Sequence, residues 1–140
     1  AAPSSAPLLL AGTLSGELHE FGAMLAAVVS ADAGWRVLYP GPSLPPEELA
    51  EAARRAGASV VAVSVVHGEG AEAWSRGVEA RAARELAELD ALLPEGALLV
   101  VGGRRARRAA PASVTVLEDL EALRGFLGTV RPLRAAGAAR

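Results

Sequence analysis

The chain has 140 residues, 51% of them hydrophobic but only 4% aromatic, with 14 basic and 16 acidic side chains and a formal net charge of −2. That length is one domain's worth, enough to bury roughly 70% of the unfolded surface, and the scarcity of aromatics makes Val, Leu and Ala the core. The absence of cysteine excludes disulfides, thiolate metal sites and thiol nucleophiles, and the near-neutral charge provides no basic field for nucleic acid or an anionic membrane.

Residues 1–7, Ala-Ala-Pro-Ser-Ser-Ala-Pro, read as a linker remnant following some upstream domain. Leu8 to Ala11 is a first buried strand. Phe21, Leu25, Val28 and Asp32 then recur at helical spacing up to Gly34. Trp35 to Tyr39 reads as a second strand, stopped by Pro40-Gly41-Pro42. Pro45 and Pro46 mark a helix start with Glu47 and Glu48 in its first turn, and Gly57 its end. Ser59 to Val65 is apolar on both faces, as a central parallel strand is. Val78, Ala82, Leu86, Leu89 and Leu93 form one helical stripe. Ala97 to Val101 is a fourth strand running into Gly102-Gly103, followed by a short helical piece at Arg104 to Ala109. Ser113 to Val116 is a weaker fifth strand, and Leu120, Leu123, Leu127 and Val130 mark the last helix.

Strict β-α alternation predicts an α/β, doubly wound sheet of about five parallel strands with helices on both faces. The domain is expected at 8–131 and a flexible tail at 132–140. No run of ~18 apolar residues is present to span a membrane, and no signal-peptide pattern precedes the first strand, so a cytoplasmic location is the default expectation. Ligands of such sheets bind beyond the carboxyl ends of the strands, where the strand order reverses.

The connection after the first strand, Gly12 to Gly22, is long for its type, whose usual range is about 2–6 residues. It places Glu17 and His19 two residues apart, so that in an extended loop both can face one way. Glu17 could orient His19 through one ring nitrogen and leave the other free, the arrangement of a metal-ligating histidine. The same residues also fit a surface histidine near a helix start, with Glu17 and Glu20 favoured by the helix dipole. The residues of this loop alone leave both readings open.

Gly16 to Gly22 resembles the D-x-H-x-x-G motif of the B12 (cobalamin)-binding domain family. Gly34-Trp35-Arg36-Val37-Leu38-Tyr39-Pro40-Gly41-Pro42-Ser43-Leu44-Pro45 is similar to that family's G-W-x-V-x-x-L-G-x-x-x-P segment. Ser64-Val65-Val66 stands where the family has S-x-L, and Gly102-Gly103 where it has paired glycines. The likeness extends over about Leu8 to Val130. Glu17 replaces the family's Asp, and its extra methylene implies a looser pairing with His19; Val66 replaces a leucine; and the segment His67 to Gly77 lengthens the gap to the glycine pair.

The resemblance implies a flavodoxin-like (Rossmann-like) fold and a cobalamin cofactor, adenosylcobalamin or methylcobalamin. It implies that the cofactor's own base leaves cobalt, which takes His19 as lower axial ligand, and that the tail enters a slot beside the sheet. Thr13, Gly16, Glu17, Gly22, Ser64, Val66, Gly102 and Gly103 are the further cofactor-binding candidates. The glycines allow close backbone approach, and Ser64 can hydrogen-bond the buried base. Considered singly, Ser64 reads as a strand serine bonded to backbone and the glycine pair as an ordinary turn.

His67 reads as a loop residue rather than a second ligand. Trp74 either packs beside the corrin or caps the domain, and Trp35 reads as core. Arg104, Arg105, Arg107 and Arg108 read as a solvated helix face. No P-loop, G-x-G-x-x-G or G-x-S-x-G is present, and a first loop poor in Ser and Thr disfavours flavin phosphate binding.

The expected function is therefore a binding or sensor module rather than an enzyme. The segment from Gly34 to Pro46 is most similar to the sensory domain of CarH-like, MerR-type regulators. That likeness implies a B12-dependent, light-responsive transcriptional regulator with an upstream helical bundle and DNA-binding domains as partners, and no direct nucleic-acid or membrane contact by this chain. The alternatives are a corrinoid carrier serving a methyltransferase and a binder of another tetrapyrrole on the same scaffold.

Overall fold

Five parallel strands in the order β2-β1-β3-β4-β5 form the sheet of the computed structural model, which describes residues 2–66 and 75–130. In chain order the elements are β1 (Leu8–Gly12), α1 (Phe21–Asp32), β2 (Arg36–Leu38), α2 (Pro46–Ala56), β3 (Val60–Ser64), α3 (Arg76–Leu92), β4 (Leu98–Gly102), α4 (Ala106–Ala109), β5 (Thr115–Val116) and α5 (Leu120–Leu127). This is the doubly wound α/β sheet that the alternation predicted, in the flavodoxin-like form that the resemblance implied, and its strand order reverses between β1 and β3.

The sheet separates two cores. Leu10, Val61, Val63, Val101 and Leu99 face α2, α3 and α4, packing on Leu49, Ala53, Leu86 and Leu89. Leu9, Val60, Ala62 and Val100 face α1 and α5, packing on Ala23, Leu123 and Leu127. Both central strands β1 and β3 are buried along their whole length, which is why each reads as a continuous apolar run rather than an alternation. Trp35 is buried against the α1/α5 side, as expected of a core residue.

Helix ends follow their local chemistry. Pro45 precedes α2, Pro46 opens it, and Gly57 closes it with a left-handed φ of 67°. Ser75 caps α3 by accepting the Val78 N–H, and Asp119 caps α5 by accepting that of Ala122.

Several elements are shorter than the patterns suggest. β2 begins at Arg36, because the Trp35 N–H is taken by Ser30 O at the end of α1, and Pro40 has no N–H to continue a ladder. β5 is only two residues long, because Val114 N–H closes a turn onto Pro111 O. α4 starts at Ala106, because the preceding turn is tied to β3 by Arg105 N–H donating to Val65 O. α5 stops at Leu127, before Gly128. The expected linker is anchored at its end: Arg36 donates through Nε to Ala6 O and through its backbone N–H to Pro7 O. The expected tail, His67 and Trp74 lie outside the described residues.

Candidate functional site

The loop joining β1 to α1 leaves the sheet at the point where strand order reverses, and it is tightly held. Thr13 is fully buried; its Oγ1 donates to Glu17 O at 2.8 Å and accepts the Ser43 N–H at 2.8 Å. Glu17 N–H closes a turn onto Leu14 O, with Gly16 at φ 80° supplying the left-handed position that such a turn needs. The Gly16 N–H donates to Ser43 Oγ at 2.8 Å. Ser43 itself has a φ of 57°, a conformation costing roughly 1–2 kcal/mol for an L-residue. Its main chain and its side chain both brace the loop, which explains why the strain persists. Ser43 is not among the candidates the sequence offers; its one signal is the turn Pro40-Gly41-Pro42 just before it.

This scaffold positions a carboxylate and an imidazole. Glu17 is only 4% exposed. Its Oε1 accepts the Val66 N–H at 2.6 Å and its Oε2 lies 3.0 Å from His19 Nδ1. An ionised carboxylate can only accept, so Nδ1 carries the proton and Nε2 presents a lone pair. The His19 side chain is 41% exposed, open to a ligand from solvent. Among the described residues no group of three or more His, Cys, Asp or Glu side chains could hold a metal ion. A lone imidazole suits a metal already chelated in the plane by a macrocycle better than a bare ion.

Beside this pair lies a cleft of about 210 Å³ between the start of α1, the start of α5 and the carboxyl ends of β3 and β4. Ser64 and Gly102, paired in register across β3 and β4, form its floor, and Gly22, Ala26 and Leu123 stand in its walls. Its lining is largely apolar. The Ser64 hydroxyl is buried there without a hydrogen-bond partner, at a cost that a ligand atom would relieve. Gly22 leaves room for that hydroxyl, since a Cβ at 22 would come within 2.5 Å of Ser64 Oγ. Val66 lines the cleft as well as binding Glu17, so the two halves of the site are contiguous.

Two further features flank the site. The Tyr39 hydroxyl donates to Glu20 Oε1 at 2.5 Å; burial, and then the Glu20 carboxylate, push its phenol up to about 12. Across α2 and α3, Glu88 titrates above its ordinary range, chiefly through a hydrogen bond with Glu47 and that group's charge, with Glu85 adding repulsion. Of the arginine cluster, Arg107 pairs with Glu118 at the surface, and Arg104, Arg107 and Arg108 are exposed.

Thr13, Gly16, Glu17 and His19 are thus assembled in one hydrogen-bonded loop, tied by Val66 to the adjoining cleft, around which stand Gly22, Ser64, Gly102 and Gly103. A doubly wound domain with an oriented imidazole on the loop at its switch point, and an apolar slot beside it at the ends of β3 and β4, is a domain built to hold a large planar cofactor. The B12 binding domain family model matches residues 7–116, and the chain belongs to that family. A B12-binding domain is a cofactor-binding module rather than a catalyst, and its cofactor is cobalamin.

The fold is similar to that of a cobalamin-binding protein from Desulfitobacterium hafniense DCB-2 (TM-score 0.68, 14% identity, 89% of this chain and 58% of that one). It is similar to the monomethylamine corrinoid protein of Methanosarcina barkeri (0.63, 15%, 87% and 57%). It is also similar to a chain of the methanol:cobalamin methyltransferase complex of Methanosarcina barkeri (0.68, 16%, 93% and 48%). The chain therefore spans only about half of each of these structures. No curated protein sequence matches it. Among the described residues no helix is long and apolar enough to cross a membrane.

The residues fit the cofactor: an unpartnered hydroxyl faces an apolar slot of a size to take a flat base, and an oriented imidazole stands beside it.

Proposed function

We propose that this cytoplasmic domain holds cobalamin base-off, with His19 on cobalt, as the cofactor-carrying part of a larger protein that serves a methyltransferase. The observation that carries the reading is the Glu17–His19 pair, buried at the carboxylate and open at the imidazole, beside the cleft with its orphaned Ser64 hydroxyl. When bound, the cofactor would supply a cobalt centre able to hold and release a carbon ligand. The protein's part is to bind and orient. Thr13, Gly16 and Ser43 fix the loop, Glu17 holds the Nδ1 proton so that Nε2 faces out, and Ser64 offers its hydroxyl to the tail base. Gly22 and Gly102 keep the slot clear. Leu18 and Phe21, neighbours of His19 in the chain, are 70% and 73% exposed, and a corrin resting on this end of the domain would cover apolar surface that water now meets. The carrier role is supported by the names of two similar structures, a corrinoid protein and a methyltransferase complex.

A second reading rests on the likeness of the segment from Gly34 to Pro46 to CarH-like regulators: a sensory domain, light-responsive through its upper ligand, with helical-bundle and DNA-binding domains as partners. Electron paramagnetic resonance of the Co(II) form with isotope-labelled histidine tests what both share. A histidine nitrogen coupling is expected; a spectrum with only the coupling of the cofactor's own base refutes it. Illumination of the adenosylcobalamin-loaded full-length protein then separates the two, because only the sensor changes its DNA affinity.

A further inference from the structure

Helix α3 contributes nothing to the motifs of the site, yet it grips the loop that carries them. Ser15 Oγ donates to Glu85 Oε1 at 2.5 Å, and Arg81 Nη2 donates to Ser15 O at 3.3 Å. Arg81 and Glu85 are four residues apart, on one face of α3. Gly16 lies so close that a Cβ there would come within 2.9 Å of Arg81 Nη2. Between the helix and the loop is a small cavity of about 20 Å³ bounded by Ser15, Glu17, Arg81 and Glu85, among others, room for a single water. Glu85 Oε2 is buried without a partner, so this carboxylate is committed to the interface rather than solvated.

We propose that Arg81 and Glu85 are positioning residues for His19: a clamp from α3 onto Ser15 that, together with Ser43 on Gly16, fixes the turn from which Glu17 and His19 project. The inference rests on the reading of His19 as the cobalt ligand, but the clamp itself can be read in the cofactor-free protein. Holding a four-residue turn at both Ser15 and Gly16 leaves the chain leading to His19 little freedom, so the imidazole is preorganised and cofactor binding loses less entropy in ordering it. Ser15 needs an acceptor, not a charge, so Gln at 85 keeps the contact.

The test uses Ser15→Ala, Arg81→Ala, Glu85→Ala and Glu85→Gln. The first readout is nuclear magnetic resonance of the ring nitrogens of His19 in the cofactor-free chain, with His67→Gln removing the only other histidine signal. The second is the His-on to His-off ratio of bound hydroxocobalamin by absorption. The three alanine variants should average the Nδ1 and Nε2 signals of His19 and lower the His-on ratio about tenfold, the loss expected of one hydrogen bond with a charged partner. Glu85→Gln should restore both. Wild-type ring signals in the alanine variants, or a Gln variant as impaired as the Ala variant, overturn the clamp. If Glu85→Ala does not fold, Ser15→Ala, which removes only the hydroxyl, decides. A wild-type chain that does not bind hydroxocobalamin overturns the function proposed above but leaves the ring signals to judge the clamp.

Discussion

The two glycines that end β4 do different work, and substituting each separates fold from ligand. Gly103 has a φ of 104°, and a Cβ built on it would lie 2.5 Å from Val65 O and 3.0 Å from Val65 C and N. The obstacle is backbone, and that backbone is fixed: Val65 N–H donates to Gly102 O, and Val65 O accepts the Arg105 N–H. Gly103→Ala therefore costs about 1–2 kcal/mol for the backbone conformation and about 1–3 kcal/mol for the displaced contact. Against a total stability of about 5–15 kcal/mol, that loss lowers the melting temperature by about 5–15 °C. Gly102 is different, since the nearest atom to its Cβ is Leu117 O at an ordinary 3.5 Å. In β-strand alternation residue 102 shares the face of Val100, towards α1 and α5 and thus towards the cleft. Gly102→Leu should melt close to the wild type but lose at least about tenfold, ~1.4 kcal/mol, in cobalamin affinity. Thermal circular dichroism and absorption titration measure the two effects. A Gly103→Ala protein that melts like the wild type would refute the packing argument, and a Gly102→Leu protein that binds normally would show that the tail does not use this cleft.

Three other outcomes follow from single contacts. Gly22→Ala should destabilise by about 1–3 kcal/mol and be largely rescued in a Ser64→Ala background, where the nearest atom is Cβ at 3.4 Å; strictly additive melting shifts would disprove the contact. Glu88 has its folded-state pKa raised, so its favourable contribution is present below the ordinary value of 4.5 and lost as pH rises through the folded value. Glu88→Gln should thus melt slightly higher than the wild type at neutral pH and no higher in acid, and an unchanged difference across that range would exclude the carboxylate repulsion. Tyr39, the only tyrosine, should ionise near 12 rather than 10.0 by phenolate absorbance, with its stabilising effect present below 10.0 and lost between those values; Glu20→Gln should bring its ionisation part of the way back, since burial is the larger cause.

Strand and helix order and the two-faced sheet were legible in the sequence because β1 and β3 are short, continuous apolar runs and α3 carries a clean stripe. The ends were less legible because they depend on single hydrogen bonds, such as the Trp35 N–H turned back to Ser30 O, which no periodicity records. The motif residues were found because each lies in a short stretch that resembles a family motif. Ser43, Arg81 and Glu85 were not, since they reach the loop across 27, 66 and 70 residues of sequence and belong to elements whose own patterns are ordinary. The slot was expected through the family resemblance alone, since it arises from what is missing at 22 and 102, on two elements brought together only by the sheet.

Glu17, where the family motif has aspartate, reaches two partners at once. Its extra methylene was expected to loosen the pairing with His19, yet the carboxylate is held at both oxygens, by Val66 N–H at 2.6 Å and by His19 Nδ1 at 3.0 Å. The two donors come from different connections, one after β3 and one after β1, so the side chain must span the gap between them as well as orient the ring. Glu17→Asp shortens the reach by about 1.5 Å, one carbon–carbon bond, and cannot keep both contacts while the loop stays braced by Thr13 and Ser43. Keeping the histidine would leave the Val66 N–H unpaired, at a cost of about 1–3 kcal/mol. Native-state hydrogen exchange at the Val66 amide should then quicken by about tenfold or more, the rate equivalent of that loss, with the His19 ring signals unchanged. Keeping the Val66 contact instead would leave exchange slow and free the ring to change tautomer. A variant in which both the amide and the ring behave as in the wild type would show that the loop moves to follow the shorter acid, and that the bracing by Thr13 and Ser43 is weaker than its geometry implies.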